Sequence, residues 1–238
     1  GYKLKRNAKG EVIITSAGLP ARPSEIEYVA CALPDWEGAF NTSLRFKNWS
    51  FSMQWDGKVG GMTYSQSHHK MCEQGHLAET LNGRKPGTSL YLDIADPDVL
   101  KLFEKQKITP VAGVYCIAPG VVDNGDGTYS PNQKLVTLES YYKEYYRIGN
   151  VETNTFSTTY LKLREVRLDY QLPKSWLKNT FINNASVGIY GRNLLCITSY
   201  PMYDPETTSL DGNTFVPGVE VGTLPTSRSW GVNLKVDF

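Results

Sequence analysis

All three histidines of this sequence fall in one short run, His68-His69-Lys70-Met71-Cys72-Glu73-Gln74-Gly75-His76. His69, Cys72, Glu73 and His76 stand at i, i+3, i+4 and i+7, which on a helix would gather imidazole, thiolate and carboxylate donors on one face, a set suited to zinc. The competing reading is an extended strand end entering a surface loop, where helical spacing has no meaning; it is the one adopted, and no metal is assigned to His68, His69 or His76. Asp123-Asn124-Gly125-Asp126-Gly127-Thr128 looks superficially like a calcium loop but lacks the D-x-D-x-D-G order and the closing Glu, so it is read as a glycine-rich turn. Asp204 and Glu206 could be imagined as a glycosidase pair, yet closeness in sequence says nothing about the separation that chemistry needs. No G-x-S-x-G, H-E-x-x-H or phosphate-cradling glycine loop occurs. The chain is therefore read as not an enzyme, with no catalytic residue and no cofactor.

Positioning must come from strands. Of 238 residues, 12% are aromatic, and 21 Gly and 13 Pro punctuate the chain, a β-rich and turn-rich usage. A net charge of +1 gives no reason to expect a nucleic-acid partner. The longest charge-free apolar stretch, Ile108 to Val122, is broken by Pro110 and Pro119, so no helix of ~20 apolar residues can cross a membrane. Cys31, Cys72, Cys116 and Cys196 have irregular spacing and no CxxC pair, which argues against a zinc ribbon.

Strict alternation of apolar and polar residues recurs along the chain. Phe40 to Lys47 alternates, then Trp49, Phe51, Met53 and Trp55 alternate with Ser50, Ser52, Gln54 and Asp56, so Lys47-Asn48 reads as a tight hairpin turn. Val166, Leu168, Tyr170 and Leu172 alternate with Glu165, Arg167, Asp169 and Gln171 until Pro173 ends the pairing. Val187 and Ile189 mark a strand over Ala185 to Gly191 that is either shorter or more mixed than the others. Trp230, Val232, Leu234, Val236 and Phe238 alternate with Gly231, Asn233, Lys235 and Asp237 to the last residue. Between Gly57 and Thr155 the alternation fades into a large loop region with short helices, one capped by Asp96 with Pro97 at its first position and one beginning near Thr137. Tyr141, Tyr142, Tyr145 and Tyr146 form one aromatic face that could stack on sugar rings or grip a peptide, although packing a loop helix is the plainer role.

A soluble secreted β-sandwich that binds glycan or protein would also alternate. Two details favour a transmembrane barrel. Trp and Phe sit at the ends of apolar strand faces while charges line the opposite faces, and a minimal turn contrasts with very long loops.

The residues also carry a family likeness. Tyr160-Leu161-Lys162-Leu163-Arg164-Glu165-Val166-Arg167-Leu168-Asp169-Tyr170-Gln171-Leu172-Pro173 resembles a signature of SusC/RagA-type TonB-dependent outer-membrane transporters. So do Gly191-Arg192-Asn193-Leu194-Leu195 followed by Tyr200-Pro201-Met202-Tyr203-Asp204-Pro205-Glu206, the closing run Arg228 to Phe238, and Pro34-Asp35-Trp36 before Gly38-Ala39-Phe40-Asn41 with Gly60-Gly61 beyond. The chain departs from the pattern at Tyr28 to Leu33, which lacks a Gly-Asn, and at Met202, where Gly is more usual.

The likeness implies an all-β antiparallel transmembrane barrel segment, residues 1–238 being the C-terminal part of a larger plugged barrel with long extracellular loops. Such a barrel has ~22 strands, and this length would supply about eight to ten; the plug and N-terminal strands would lie elsewhere. The implied activity is import of an oligosaccharide or oligopeptide across a bacterial outer membrane, with membrane lipid around the barrel. Asn41, Arg45, Gln54, Glu165, Arg167 and Asp169 would face the lumen, and Trp49, Phe51, Met53, Trp55, Val166, Leu168, Tyr170, Val232, Leu234 and Val236 the lipid. Phe238 would be the signal read by the barrel-assembly machinery. TonB would act through the N-terminal part, and a SusD-like surface lipoprotein would dock on the long loops, with Tyr141, Tyr145 and Tyr203 as partner or substrate anchors. The oxidising location would favour a Cys72–Cys116 or similar disulfide.

Overall fold

The computed structural model describes residues 1–211 and 214–238, and the chain divides into two compact units, 1–30 with 64–155 and 31–63 with 156–238. The second unit holds one antiparallel sheet of five long strands: β1 (Pro34–Phe46), β2 (Trp49–Gly60), β3 (Tyr160–Gln171), β4 (Asn184–Thr198) and β5 (Ser229–Asp237), ordered β5-β4-β3-β2-β1. Five long strands, against the eight to ten expected, form an open sheet, because 64–155 builds a unit of its own with short strands.

Register shows why the sheet has two unlike faces. Trp49 pairs with Tyr170, Phe51 with Leu168, Met53 with Val166 and Trp55 with Leu163. Across β4, Ile189 faces Leu168 on one side and Val232 on the other, while Val187 faces Tyr170 and Leu234. One face is thus aromatic and aliphatic over five strands, and the other carries the polar half of each alternation. Trp230, Val232 and Leu234 on the apolar face are 72%, 72% and 68% exposed, and no second sheet packs on them among the described residues. A sandwich would bury these side chains against a facing sheet.

The hairpin turn expected at Lys47-Asn48 is present, with Lys47 in the left-handed region at φ 51° and Phe46 paired with Trp49. The strand over Ala185 to Gly191 is not short: β4 runs 15 residues, because a break in register at Asn193 (φ 52°) lets pairing resume at Leu195 opposite Leu163. β3 carries the matching irregularity between Leu163 and Glu165. β2 likewise continues beyond Gly57 to Gly60, and β5 stops at Asp237, one residue before Phe238. Gly188 answers a close approach, since a Cβ there would lie 2.0 Å from Asp169 Oδ1. The short connections, Lys47-Asn48 and 172–183, leave one end of the sheet, and 61–159 and 199–228 leave the other.

The first unit is not an open loop. Ile14, Leu90, Cys116, Ala118, Val136, Leu138, Tyr141 and Tyr142 form its core. Ile13–Ile14 pairs with Val121–Asp123, which pairs with Tyr129–Pro131, and Tyr115–Ile117 pairs with Leu135–Thr137. Three helices carry it: α1 (Gln66–Glu73), α2 (Pro97–Gln106) and α3 (Leu138–Tyr145). Asp96 caps α2 with Pro97 behind it, and Thr137 caps α3, as the residue types predict. The histidine run corrects the expectation of an extended strand end: Ser65 accepts from the His68 amide and starts a helix there.

Candidate functional site

The polar face of the sheet gathers six residues singled out from sequence. Asn41 pairs with Gln54 across β1 and β2, and Arg45 lies two pairs along opposite Ser50. Glu165, Arg167 and Asp169 share this face on β3. Arg167 grips Asp169 through Nε and Nη2 at 2.6 and 2.9 Å, and Arg192 of β4 reaches Glu165 at 2.7 Å. The ten apolar candidates all project from the other face by the register above.

Towards the end with the long connections, the polar face carries a cluster that sequence reasoning missed. Lys162 Nζ, its side chain 4% exposed, donates to Asp204 Oδ1 at 2.6 Å and pairs with Glu206. Arg164 makes a fork to both Asp56 oxygens at 2.6 and 2.7 Å and also pairs with Glu206. The Tyr160 hydroxyl lies 2.8 Å from Glu206 Oε1 and 3.2 Å from Asp56 Oδ2. Asp204 further accepts from the Thr226 hydroxyl and amide at 2.5 and 3.2 Å and from the Glu206 amide at 3.0 Å. Burial pushes the Asp204 carboxyl up, but the bonds from Lys162 and Thr226 outweigh it and hold the group at about 2; Glu206 is held down in the same way against its own burial. The arrangement ties the 199–228 segment to β3. Asp204 and Glu206 here balance two cations rather than flanking a scissile bond, and a small cavity beside them is lined by Asn193, Cys196, Tyr203 and Arg228. The signal was present in the sequence, since both partners lie in the runs Tyr160 to Pro173 and Tyr200 to Glu206.

In the first unit the tyrosines divide. Tyr141 is a core residue, 7% exposed, and stacks on half-buried Tyr145, so Tyr141 offers no surface to a partner here. Burial pushes the Tyr142 hydroxyl up to about 12, and as a neutral phenol it donates to Asn82 O at 2.5 Å. Tyr203, in the other unit, is 63% exposed. Phe238 is exposed and stacks on Phe181, ring centroids 5.6 Å apart. The 123–128 segment is a hairpin turn in which Asp123 and Asp126 accept from the amides of Gly125 and Thr128. All four cysteines are free thiols, which overturns the expected disulfide: Cys72 Sγ lies against His68, and Cys31 and Cys196 are exposed. The donor set also differs from the one spelled by sequence: His69 pairs with Glu73 at 3.4 Å, whereas His68, Cys72 and Glu79 converge.

Comparison with known proteins agrees with the two-faced sheet. No protein-family model matches the chain. It is 23% identical over 212 residues to TonB-dependent receptor P3 of Formosa agariphila, covering 86% of this chain and 16% of that protein. TonB-dependent receptor P26 of the same organism is 23% identical over 210 residues, covering 87% and 17%. The chain is a relative of the TonB-dependent receptors. It spans about one sixth of the length of the curated relatives it matches. Its location is the outer membrane, the location of that family. Among solved structures, all of the chain superposes on the RagAB peptide importer in its "closed-closed" state with a TM-score of 0.54 at 15% identity, covering 22% of that chain. For the RagAB peptide transporter the TM-score is 0.51 at 16% identity. That likeness places this TonB-dependent receptor relative in the same fold.

Proposed function

We propose that the chain supplies C-terminal strands of a plugged transmembrane barrel that imports an oligomeric nutrient, an oligosaccharide or an oligopeptide, and performs no enzymatic step itself. The observation that carries this reading is the sheet with one bare apolar face and one charged face, whose short connections leave one end and long connections the other. On it, Trp49, Phe51, Met53, Trp55, Val166, Leu168, Tyr170, Val232, Leu234 and Val236 meet lipid. Asn41, Arg45, Gln54, Glu165, Arg167 and Asp169 meet the aqueous lumen or the plug. The remaining partners are the N-terminal barrel and plug, TonB acting through them, the barrel-assembly machinery reading Phe238, and a SusD-like lipoprotein over the long connections, for which exposed Tyr203 is the best-placed anchor.

Cysteine accessibility tests the reading. In the intact protein in outer-membrane vesicles, with the native thiols replaced by serine, Ser52→Cys and Asn233→Cys should react with a water-soluble maleimide. Met53→Cys and Val232→Cys should resist it and react with a bilayer-partitioned reagent. Equal aqueous labelling of adjacent positions would overturn the barrel assignment.

A further inference from the structure

His68 and Cys72 stand one turn apart on α1 and are both fully buried, and the short 3-10 turn Ala78–Leu81 brings Glu79 to them. His68 Nε2 lies 3.2 Å from Glu79 Oε2 and 3.5 Å from Cys72 Sγ, and the three donor atoms lie within 4.8 Å of one another. Tetrahedral zinc with bonds of ~2.0 Å to nitrogen and oxygen and ~2.3 Å to sulfur separates N from O by about 3.3 Å and N from S by about 3.5 Å. The two edges that meet at His68 Nε2 already have the lengths of a shared ion.

The tautomer is set by a neighbour. Asn154, fully buried, donates its amide hydrogens to the carbonyls of Tyr146 and Asn150 at 3.0 and 3.1 Å, so its oxygen faces His68 Nδ1 at 3.0 Å. Carbonyls only accept, so Nδ1 carries a proton, and in the neutral ring it is the Nε2 lone pair that faces Cys72 and Glu79. This is the outer hydrogen bond that orients a metal-binding imidazole. Tyr146 donates to Glu79 Oε2 at 3.1 Å and packs edge-on against the imidazole, which orients the carboxylate as well. The Glu79 side chain is 46% exposed, which gives an ion a route in and leaves room for a water as fourth ligand.

We propose that His68 Nε2, Cys72 Sγ and a Glu79 carboxylate oxygen bind one zinc-class divalent cation. Binding breaks the Cys72 S–H bond, forms a sulfur–metal bond and releases the proton to solvent; no electron moves. The ion staples α1 to the 3-10 turn that carries Glu79, which the Tyr142 hydroxyl also reaches at its backbone.

The test uses the intact protein purified in detergent, stripped with a chelator and titrated with zinc, then with cobalt as a spectroscopic probe. One thiolate-ligated cation per chain is expected, with a sulfur-to-cobalt charge-transfer band. Cys72→Ser should abolish the band. Glu79→Gln, at a half-exposed position that leaves the core intact, should weaken binding at least tenfold, and Asn154→Ala by roughly 10–100-fold. Glu73→Gln and Cys196→Ser should change neither. The proposal fails if the unaltered protein gives no thiolate band, if the band survives Cys72→Ser, or if affinity follows Glu73 rather than Glu79.

Discussion

Replacing Lys162 with Met should release the 199–228 segment from the sheet. The lysine stem is kept and only the ammonium is lost, so the substitution isolates the charge. Asp204, its side chain 4% exposed, then has no cation against it. Breaking a buried pair on one side costs about 3–5 kcal/mol. An independent measure comes from the carboxyl itself, which is held at about 2. Against an ordinary aspartate near ~3.9, that depression corresponds to roughly 2–3 kcal/mol of native-state stabilisation. Because the folded value is the lower one, the contribution is complete above ~4 and is lost as pH falls through the folded value near 2. Without Lys162, burial dominates the carboxyl and the loss moves to higher pH. Hydrogen exchange read by mass spectrometry reports it directly, because the amides of Glu206 and Thr226 both donate to Asp204. A loss of about 3 kcal/mol speeds local exchange on the order of 100-fold, and acid should sensitise the variant at a pH the unaltered protein tolerates. Unchanged exchange of peptides spanning Glu206 and Thr226 at neutral pH would refute the idea that this cluster anchors the segment.

Gly188→Val should force Asp169 away from Arg167, because the new Cβ meets Asp169 Oδ1 at 2.0 Å and the Leu168 carbonyl at 3.1 Å; a cost of about 1–3 kcal/mol is expected, read as a lower unfolding temperature of the intact protein on semi-native gels. Deleting Phe238 should reduce the amount of protein assembled in the outer membrane without altering its synthesis, and unchanged surface levels would show that the assembly machinery does not use it. Tyr203→Ala should leave the sheet intact and weaken co-purification of a surface lipoprotein about tenfold, whereas undiminished recovery would remove Tyr203 from that interface.

Much of the sheet is legible in sequence because each strand has one bare and one wet side, so residue type and face are locked at period two. The Lys47 turn and the caps Asp96 and Thr137 are legible because their chemistry is local. The length of β4 is not, because Asn193 interrupts the alternation and only pairing with β3 shows that the strand goes on. Gly57 to Thr155 reads as loop because its core is built from small, scattered contributions, Ile14, Leu90, Ala118 and Val136 among them, which no periodicity announces.

The cluster around Lys162 escapes a sequence reading for a physical reason that can be turned into a rule. In β3 the apolar positions are Leu161 and Leu163, then Val166, Leu168 and Tyr170, so the phase changes at the adjacent polar pair Arg164-Glu165. A uniform strand would send one of that pair to the apolar side. The register irregularity at this point instead lets Arg164 join Tyr160 and Lys162 beside Asp56, with Glu165 also on the polar side. Two polar residues in succession inside an alternating strand are therefore a bulge signal, and a bulge gathers charge where plain alternation would disperse it. What the strand cannot disclose is the counter-charge, since Asp204 and Glu206 arrive from 42 and 44 residues away. A buried lysine on such a strand nonetheless demands an anion, and the acidic run Asp204-Pro205-Glu206 is where a search for it should begin.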